Sequence, residues 1–238
     1  AHAAFPWLVT WDDHEFDNNC ASQISEESGV DAAPFLARRA NAYQAYYEHM
    51  PLRRSAIPRG PDMQLYRAVP FGRLATFFVM DTRQYRSDQP NGDGKKPLQG
   101  KVFDPNATVL GARQEGWLAS GLLRSTAQWN VLAQQIMMAR VDRLPGDGGH
   151  FSMDQWSGYE ASRQRLLSFL HERRVTNPVR TAIDLARFRD DGSYSPDVVA
   201  ELLALARTDA PAARAVMDER RHLTHAERAR RRLGALAC

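Results

Sequence analysis

Apolar residues along the chain fall into short runs that predict alternating strands and helices. Phe5 to Trp11 is apolar and β-prone, which predicts a short buried strand. Pro34 to Met50 carries apolar and aromatic residues at helical spacing, which predicts a helix packed on a core. Leu65 to Gly72 and Leu74 to Asp81 have the pattern of two strands joined by a tight turn, so we expect a hairpin there.

The second half of the chain continues this alternation. Thr108 to Leu123 predicts a helix, Trp129 to Ala133 a buried strand, and Arg163 to Arg174 an amphipathic helix. Ser195 to Cys238 predicts a helical tail with an apolar and an Arg-rich face. Because strands and helices alternate, we expect crossover connections and an α/β fold.

Composition and charge exclude several classes of protein. Of the 238 residues, 43% are hydrophobic and 25% are charged, as in a globular chain rather than a disordered one. No apolar run approaches the roughly 20 residues that cross a bilayer, and no signal peptide opens the chain. The net charge is only +3, and the Arg-rich tail has no aromatic residue after Tyr194, so we find no nucleic-acid-binding signal. Cys20 and Cys238 form neither a disulfide framework nor a zinc pattern.

The most chemically loaded stretch is the acidic loop, residues 12–19, directly after the first predicted strand. A loop at the carboxyl end of a strand aims side chains into a crevice. The loop offers the carboxylate, imidazole and amide groups that metal cations take as ligands, from Asp12, Asp13, His14 and Asn18. The alternative is that these Asp and Asn residues only form a turn or begin a helix.

A second polar run, Asp81 to Arg86, follows the second strand of the predicted hairpin. Like the acidic loop, it directly follows a predicted apolar strand. Arg83 is a candidate catalytic residue, because its guanidinium can fork onto a phosphate or onto the acidic loop. The alternative is that Arg83 pairs with a buried Asp and holds the scaffold.

Several motifs carry a resemblance to a known family. Residues 1–15, ending in Trp11-Asp12-Asp13-His14-Glu15 and followed by Asn18-Asn19, resemble the central motif of the PhoD-like (alkaline phosphatase D) family. Leu110 to Leu118, Trp129 to Ala139 and Asp154 to Tyr159 are similar to later motifs of that family. The resemblance covers about residues 1–178.

The resemblance implies a metal-dependent phosphatase that hydrolyses phosphomonoesters or phosphodiesters. It implies a metallophosphoesterase-like layered sandwich of two sheets flanked by helices, with iron and calcium as the expected metals. By this likeness Asp13 ligates a metal, with Asp12 and Asn18 as further metal-site candidates, and His14 stabilises the phosphoryl group or protonates the leaving oxygen. The substrate is then a phosphate ester, and the expected location is extracellular or periplasmic.

The chain departs from the family pattern after Pro178. The family continues there into a Gly-Asp-x-His motif that this chain lacks, and an upstream Gly-Asp-Tyr motif is also missing. We therefore expect a partial phosphatase core over residues 1–187 and an unrelated Arg- and Ala-rich tail over 188–238. The competing interpretations are a non-catalytic remnant of the same fold and an interaction module that binds through the tail.

Overall fold

The computed structural model describes residues 3–143 and 149–182. The predicted tail, 188–238, lies outside the described residues. The helices in the described part are α1 (Ala32–His49), α2 (Gly111–Arg124) and α3 (Glu160–Glu172). The strands are β1 (Arg67–Phe71), β2 (Ala75–Val79), β3 (Lys95–Lys96), β4 (Trp129–Gln134), β5 (Phe151–Ser152) and β6 (Pro178–Ala182). Short 3-10 turns cover Arg54–Ala56, Gly100–Phe103 and Trp156–Tyr159.

A mixed four-stranded sheet organises the fold, in the order β1-β2-β4-β6. Strands β1 and β2 form the predicted antiparallel hairpin, whereas β2 pairs with β4 and β4 with β6 in parallel. Helices α2 and α3 provide the two crossovers between these parallel strands. The α/β prediction is therefore confirmed. A second, two-stranded sheet pairs β3 with β5 in antiparallel orientation.

Helix boundaries differ from the predictions by a few residues. Helix α2 begins at Gly111 rather than Thr108, because the Thr108 hydroxyl lies outside the helix and accepts the Gly111 N–H at 2.9 Å. Helix α1 begins two residues before Pro34, and its buried face includes Phe35, Tyr43 and Tyr46, as the aromatic spacing predicted.

The predicted strand from Phe5 to Trp11 is wrong, because this segment forms no strand and Phe5 is 68% exposed. Side chains bind its carbonyl groups where a neighbouring strand would otherwise do so. Arg67 Nη2 donates to Val9 O and Gln135 Nε2 donates to Trp11 O, both at 2.7 Å. An apolar, β-prone sequence becomes a strand only where a partner ladder exists.

The segment nevertheless delivers the acidic loop to the end of the central sheet. The Thr10 hydroxyl donates to Met80 O at 3.1 Å, and Gln135 Nε2 donates to the same carbonyl at 2.9 Å. Trp11 is 1% exposed and packs on Tyr43, with ring centroids 3.9 Å apart. The acidic loop therefore starts from a buried anchor directly beside the end of β2.

Strand β6 begins at Pro178, the point after which the chain departs from the family pattern. Its backbone pairs in parallel with β4, from Pro178 opposite Asn130 onward. Asn130 Nδ2 also donates to Thr176 O at 2.8 Å, which holds the preceding turn against β4. Backbone pairing does not depend on the missing motif, so the sheet gains this strand without it.

Two apolar clusters form the core of the described part. The larger lies between the sheet and helices α2 and α3, and includes Phe78, Met80, Leu118, Leu122, Leu132, Ile136, Trp156, Tyr159 and Leu170. The smaller packs α1 on Trp11 and Leu65. Within residues 3–143 and 149–182, the helices are too short or too polar to cross a membrane.

Candidate active site

The acidic loop and the loop that follows β2 meet at one end of the sheet. Asp81 opens the second loop and is 0% exposed. Its Oδ1 accepts the backbone N–H groups of Arg83 at 3.0 Å and of Gln84 at 2.9 Å. These bonds form a tight turn, which sets the direction in which the Arg83 side chain leaves the backbone.

Arg83 links three carboxylates and is itself 2% exposed. Its Nε donates to Asp12 Oδ1 at 2.6 Å, and its Nη2 lies 3.2 Å from Asp13 Oδ1. Nη1 and Nη2 donate side by side to the carboxylate of Asp154, both at 2.8 Å. Burial lowers the pKa of Arg83, but the Asp154 and Asp12 carboxylates outweigh it and raise the pKa further above its usual range.

Asp154 lies at the back of this arrangement and is 4% exposed. Besides the Arg83 fork, its Oδ1 accepts Arg86 Nη1 at 2.8 Å and Gln89 Nε2 at 3.0 Å. Arg86 Nη2 also donates to the Asp154 carbonyl oxygen at 2.7 Å. The two guanidinium groups and the carboxylates thus form one buried charge network.

Asp12 and Asp13 share the Arg83 guanidinium but differ in acidity. Burial raises the pKa of Asp12 to about 6, and it outweighs the opposing attraction of Arg83. Burial also raises the pKa of Asp13, but Arg83 and the backbone N–H of Asn19 overcome it, so this pKa lies below its usual value. That N–H donates to Asp13 Oδ2 at 2.8 Å.

His14 lies at the exposed rim of the network, with 58% of its side chain accessible. Its Nε2 lies 3.0 Å from Asn18 Oδ1 and 3.8 Å from Asp13 Oδ2. Asn18 Nδ2 in turn donates to Glu26. The neighbouring Asn19 Nδ2 donates to Asp93 Oδ2 at 2.7 Å. A hydrogen bond to Asp93 raises the pKa of Glu26. The rim around His14 is therefore acidic.

The described residues do not fit a metal ion by themselves. Within 3–143 and 149–182 there is no group of three or more His, Cys, Asp or Glu side chains that could hold one. Asp12 and Asp13 offer suitable oxygen atoms, but Oδ1 of each already pairs with the guanidinium of Arg83. A metal site at this rim requires donors beyond the described residues.

The structure brings the predicted site residues together in two groups. Asp12, Asp13 and Arg83 form the inner group, in which Asp12 is partly exposed, whereas His14 and Asn18 form the exposed one. Arg83 faces protein carboxylates and not solvent, which is the geometry of a scaffold pair, and its catalytic role stays a prediction.

Sequence reasoning assigned no role to Asp154 or Gln89, although both lie in this network. Asp154 belongs to the run Asp154 to Tyr159, which resembles a family motif. That resemblance was the one feature of the sequence that could have indicated a role for Asp154. Nothing in the local sequence indicated that its partners lie 65 to 71 residues away.

Comparison with known proteins assigns this α/β chain to a family. The sequence model of the family of PhoD-like phosphatases matches residues 1–188, and the chain belongs to that family. It is 55% identical over 179 residues to alkaline phosphatase D of Bacillus subtilis (strain 168), an alignment that covers 75% of this chain and 30% of that protein.

A solved structure of PhoD is similar to this chain, with a TM-score of 0.71 and 54% sequence identity. The match covers 75% of this chain and 34% of the solved one. The chain therefore spans about a third of the length of these relatives.

Proposed function

We propose that the acidic loop of this chain is part of a phosphatase active site, and that the chain hydrolyses phosphate monoesters or diesters. The observation that supports this most is the acidic loop: it lies inside the family match and presents an exposed imidazole beside a buried carboxylate. The similarity to a protein named alkaline phosphatase D supports the same reaction class.

His14 is the proposed proton donor to the leaving oxygen. Its Nε2 pairs with Asn18 Oδ1, which holds the ring in place, and Nδ1 makes no hydrogen bond within the described part. In the protonated ring both nitrogens carry a hydrogen, so Nδ1 can donate while Nε2 keeps its bond to Asn18 Oδ1. As a water oxygen attacks phosphorus, the proton passes from Nδ1 to the ester oxygen and the bond between phosphorus and that oxygen breaks.

Metal dependence is part of this proposal through the family resemblance, with iron and calcium as the expected ions. When bound, such ions would stabilise charge on the phosphoryl oxygens. Asp12, Asp13 and Asn18 are the proposed contributors of oxygen donors. Further donors must come from outside the described residues, because the described ones form no complete set. By the same resemblance we propose an extracellular or periplasmic location.

The test is phosphatase assay of the purified 238-residue chain with p-nitrophenyl phosphate and bis(p-nitrophenyl) phosphate. We expect activity that falls by about 100-fold or more in His14→Ala, the usual size of a lost general acid. His49→Ala is the matched control, since His49 is also exposed but bonds only to Ala45 O at the end of α1.

Three outcomes separate the interpretations. Activity that disappears after chelation and returns with iron or calcium supports metal dependence. Activity that His14→Ala leaves unchanged contradicts the assigned role of His14. A folded chain without activity under any of these conditions contradicts the proposed function and favours the non-catalytic remnant.

A further inference from the structure

We propose that Asp154 is the positioning residue of the acidic loop: it fixes Arg83 and Gln89, and these two side chains fix the loop that carries His14. The catalytic consequence rests on the proposed function. The positioning itself rests on geometry alone.

The first connection runs through Arg83. The Asp154 carboxylate takes both Nη atoms of Arg83 in a two-bonded fork, which fixes the plane of the guanidinium. The remaining edge of that plane then faces Asp12 through Nε and Asp13 through Nη2. Because the guanidinium is planar and rigid, fixing one edge fixes the other.

The second connection runs through Gln89, whose side chain is neutral. Gln89 Nε2 donates to Asp154 Oδ1 at 3.0 Å and to Asn19 O at 2.8 Å. An amide nitrogen has two hydrogens, so these two bonds use its whole donor capacity. Asp154 is therefore tied to the beginning of the acidic loop through Arg83 and to its end through Gln89.

A carboxylate is required at this position. The two Asp154 oxygens accept four hydrogen bonds, from Arg83, Arg86 and Gln89. An asparagine would present one acceptor oxygen and one NH₂ group, and that group would face N–H donors. Asp154→Asn keeps the side-chain shape but leaves buried donors without partners.

The experiment is amide hydrogen exchange on the full chain, comparing wild type with Asp154→Asn. The reporters are the Phe16 and Asp17 amides, which donate to Asp13 O, and the Asn19 amide, which donates to Asp13 Oδ2. We expect these amides to exchange at least about tenfold faster in the variant, while amides of β4 keep their rates, since the loss is local.

Glu160→Gln is the matched control. Glu160 is 0% exposed and also pairs with two arginines, Arg140 and Arg163, but it makes no contact with the acidic loop. Glu160→Gln should leave the rates of the three reporter amides unchanged. Equal acceleration in both variants, or acceleration of β4 together with the loop in Asp154→Asn, would show general support of the fold and overturn the proposal.

A second variant covers the case in which Asp154→Asn does not fold. Gln89→Met removes the bridge to Asn19 O and keeps every ion pair, so the Asn19 amide should exchange a few-fold faster with β4 unchanged. An unchanged Asn19 rate would then overturn the proposal.

Enzyme kinetics separates this inference from the proposed function. If the wild-type chain hydrolyses p-nitrophenyl phosphate, Asp154→Asn should lower kcat far more than it changes KM, because the loop geometry and not substrate access is altered. A change in KM with kcat unchanged would contradict the positioning role. A wild-type chain without activity would remove the proposed function, and the exchange rates would still decide the role of Asp154.

Discussion

Replacing Arg83 by Met tests the buried charge network directly. Methionine keeps much of the side-chain volume and removes the charge and all N–H donors. Three carboxylates, those of Asp12, Asp13 and Asp154, lose a partner at once. We expect Arg83→Met to be one of the most destabilising single substitutions in the described part of the chain.

The magnitude follows from the partners that remain. Removing one member of a buried ion pair costs about 3–5 kcal/mol, because the other charge stays buried and unpaired. Asp154 keeps Arg86 and Gln89, and Asp13 keeps the Asn19 N–H. We therefore expect the lower end, about 3 kcal/mol near pH 7.5. This is a large share of the roughly 5–15 kcal/mol that stabilises a typical domain.

The assay is urea unfolding followed by tryptophan fluorescence at pH 7.5 and pH 5. The loss of unfolding free energy should be smaller at pH 5, because carboxylates without a guanidinium partner bind protons more readily and become neutral. Arg140→Met is the matched control: its side chain is 43% exposed, and its partner Glu160 keeps Arg163. We expect Arg140→Met to lower the unfolding free energy by less than about 1 kcal/mol. If Arg83→Met costs no more than Arg140→Met, the network does not stabilise the fold and our reasoning fails.

Two further predictions concern pH and packing. Because the pKa of Asp12 rises from 3.8 to about 6 on folding, its contribution to stability is present below pH 3.8 and is lost as pH rises toward 6. Between pH 3.8 and about 6, this effect lowers the unfolding free energy of the wild-type chain by up to about 3 kcal/mol, and Asp12→Asn should remove that decrease. The pKa of Asp13 is lowered on folding, so Asp13 changes stability in the opposite direction. Urea unfolding of the wild-type chain and of Asp12→Asn at several pH values checks this. If the unfolding free energies of the two proteins change in parallel with pH, the prediction is contradicted. Gly158→Ala should cost about 3 kcal/mol or more in thermal unfolding, since its Cβ would meet Met153 O at 1.8 Å. Gly116→Ala in α2, where a Cβ meets nothing within 4 Å, should instead stabilise by about 0.4–1 kcal/mol.

Part of the candidate site could be predicted from the sequence, because the residues that indicate it are neighbours in the chain. Four titratable residues in a row, Asp12 to Glu15, sit beside each other whatever the fold. The hydrogen bond from Thr10 to Met80 O places them beside the end of β2, although the preceding segment, Phe5 to Trp11, is not the predicted strand. The partners of Arg83 could not be predicted, since the sequence left a phosphate, the acidic loop and a buried Asp as equal alternatives. The structure shows contacts with both the acidic loop and the buried Asp154.

The sequence by itself determined the three helices, the hairpin at Gly72, strand β4 and the α/β class, because hydrophobic periodicity and turn residues act over a few neighbouring positions. Only the tertiary structure decided that Phe5 to Trp11 forms no strand, that His14 is exposed, and that Asp154 joins the site. Each of these depends on which distant groups come within hydrogen-bonding distance. A side chain such as Arg83 finds a partner 71 residues away only after the chain has folded.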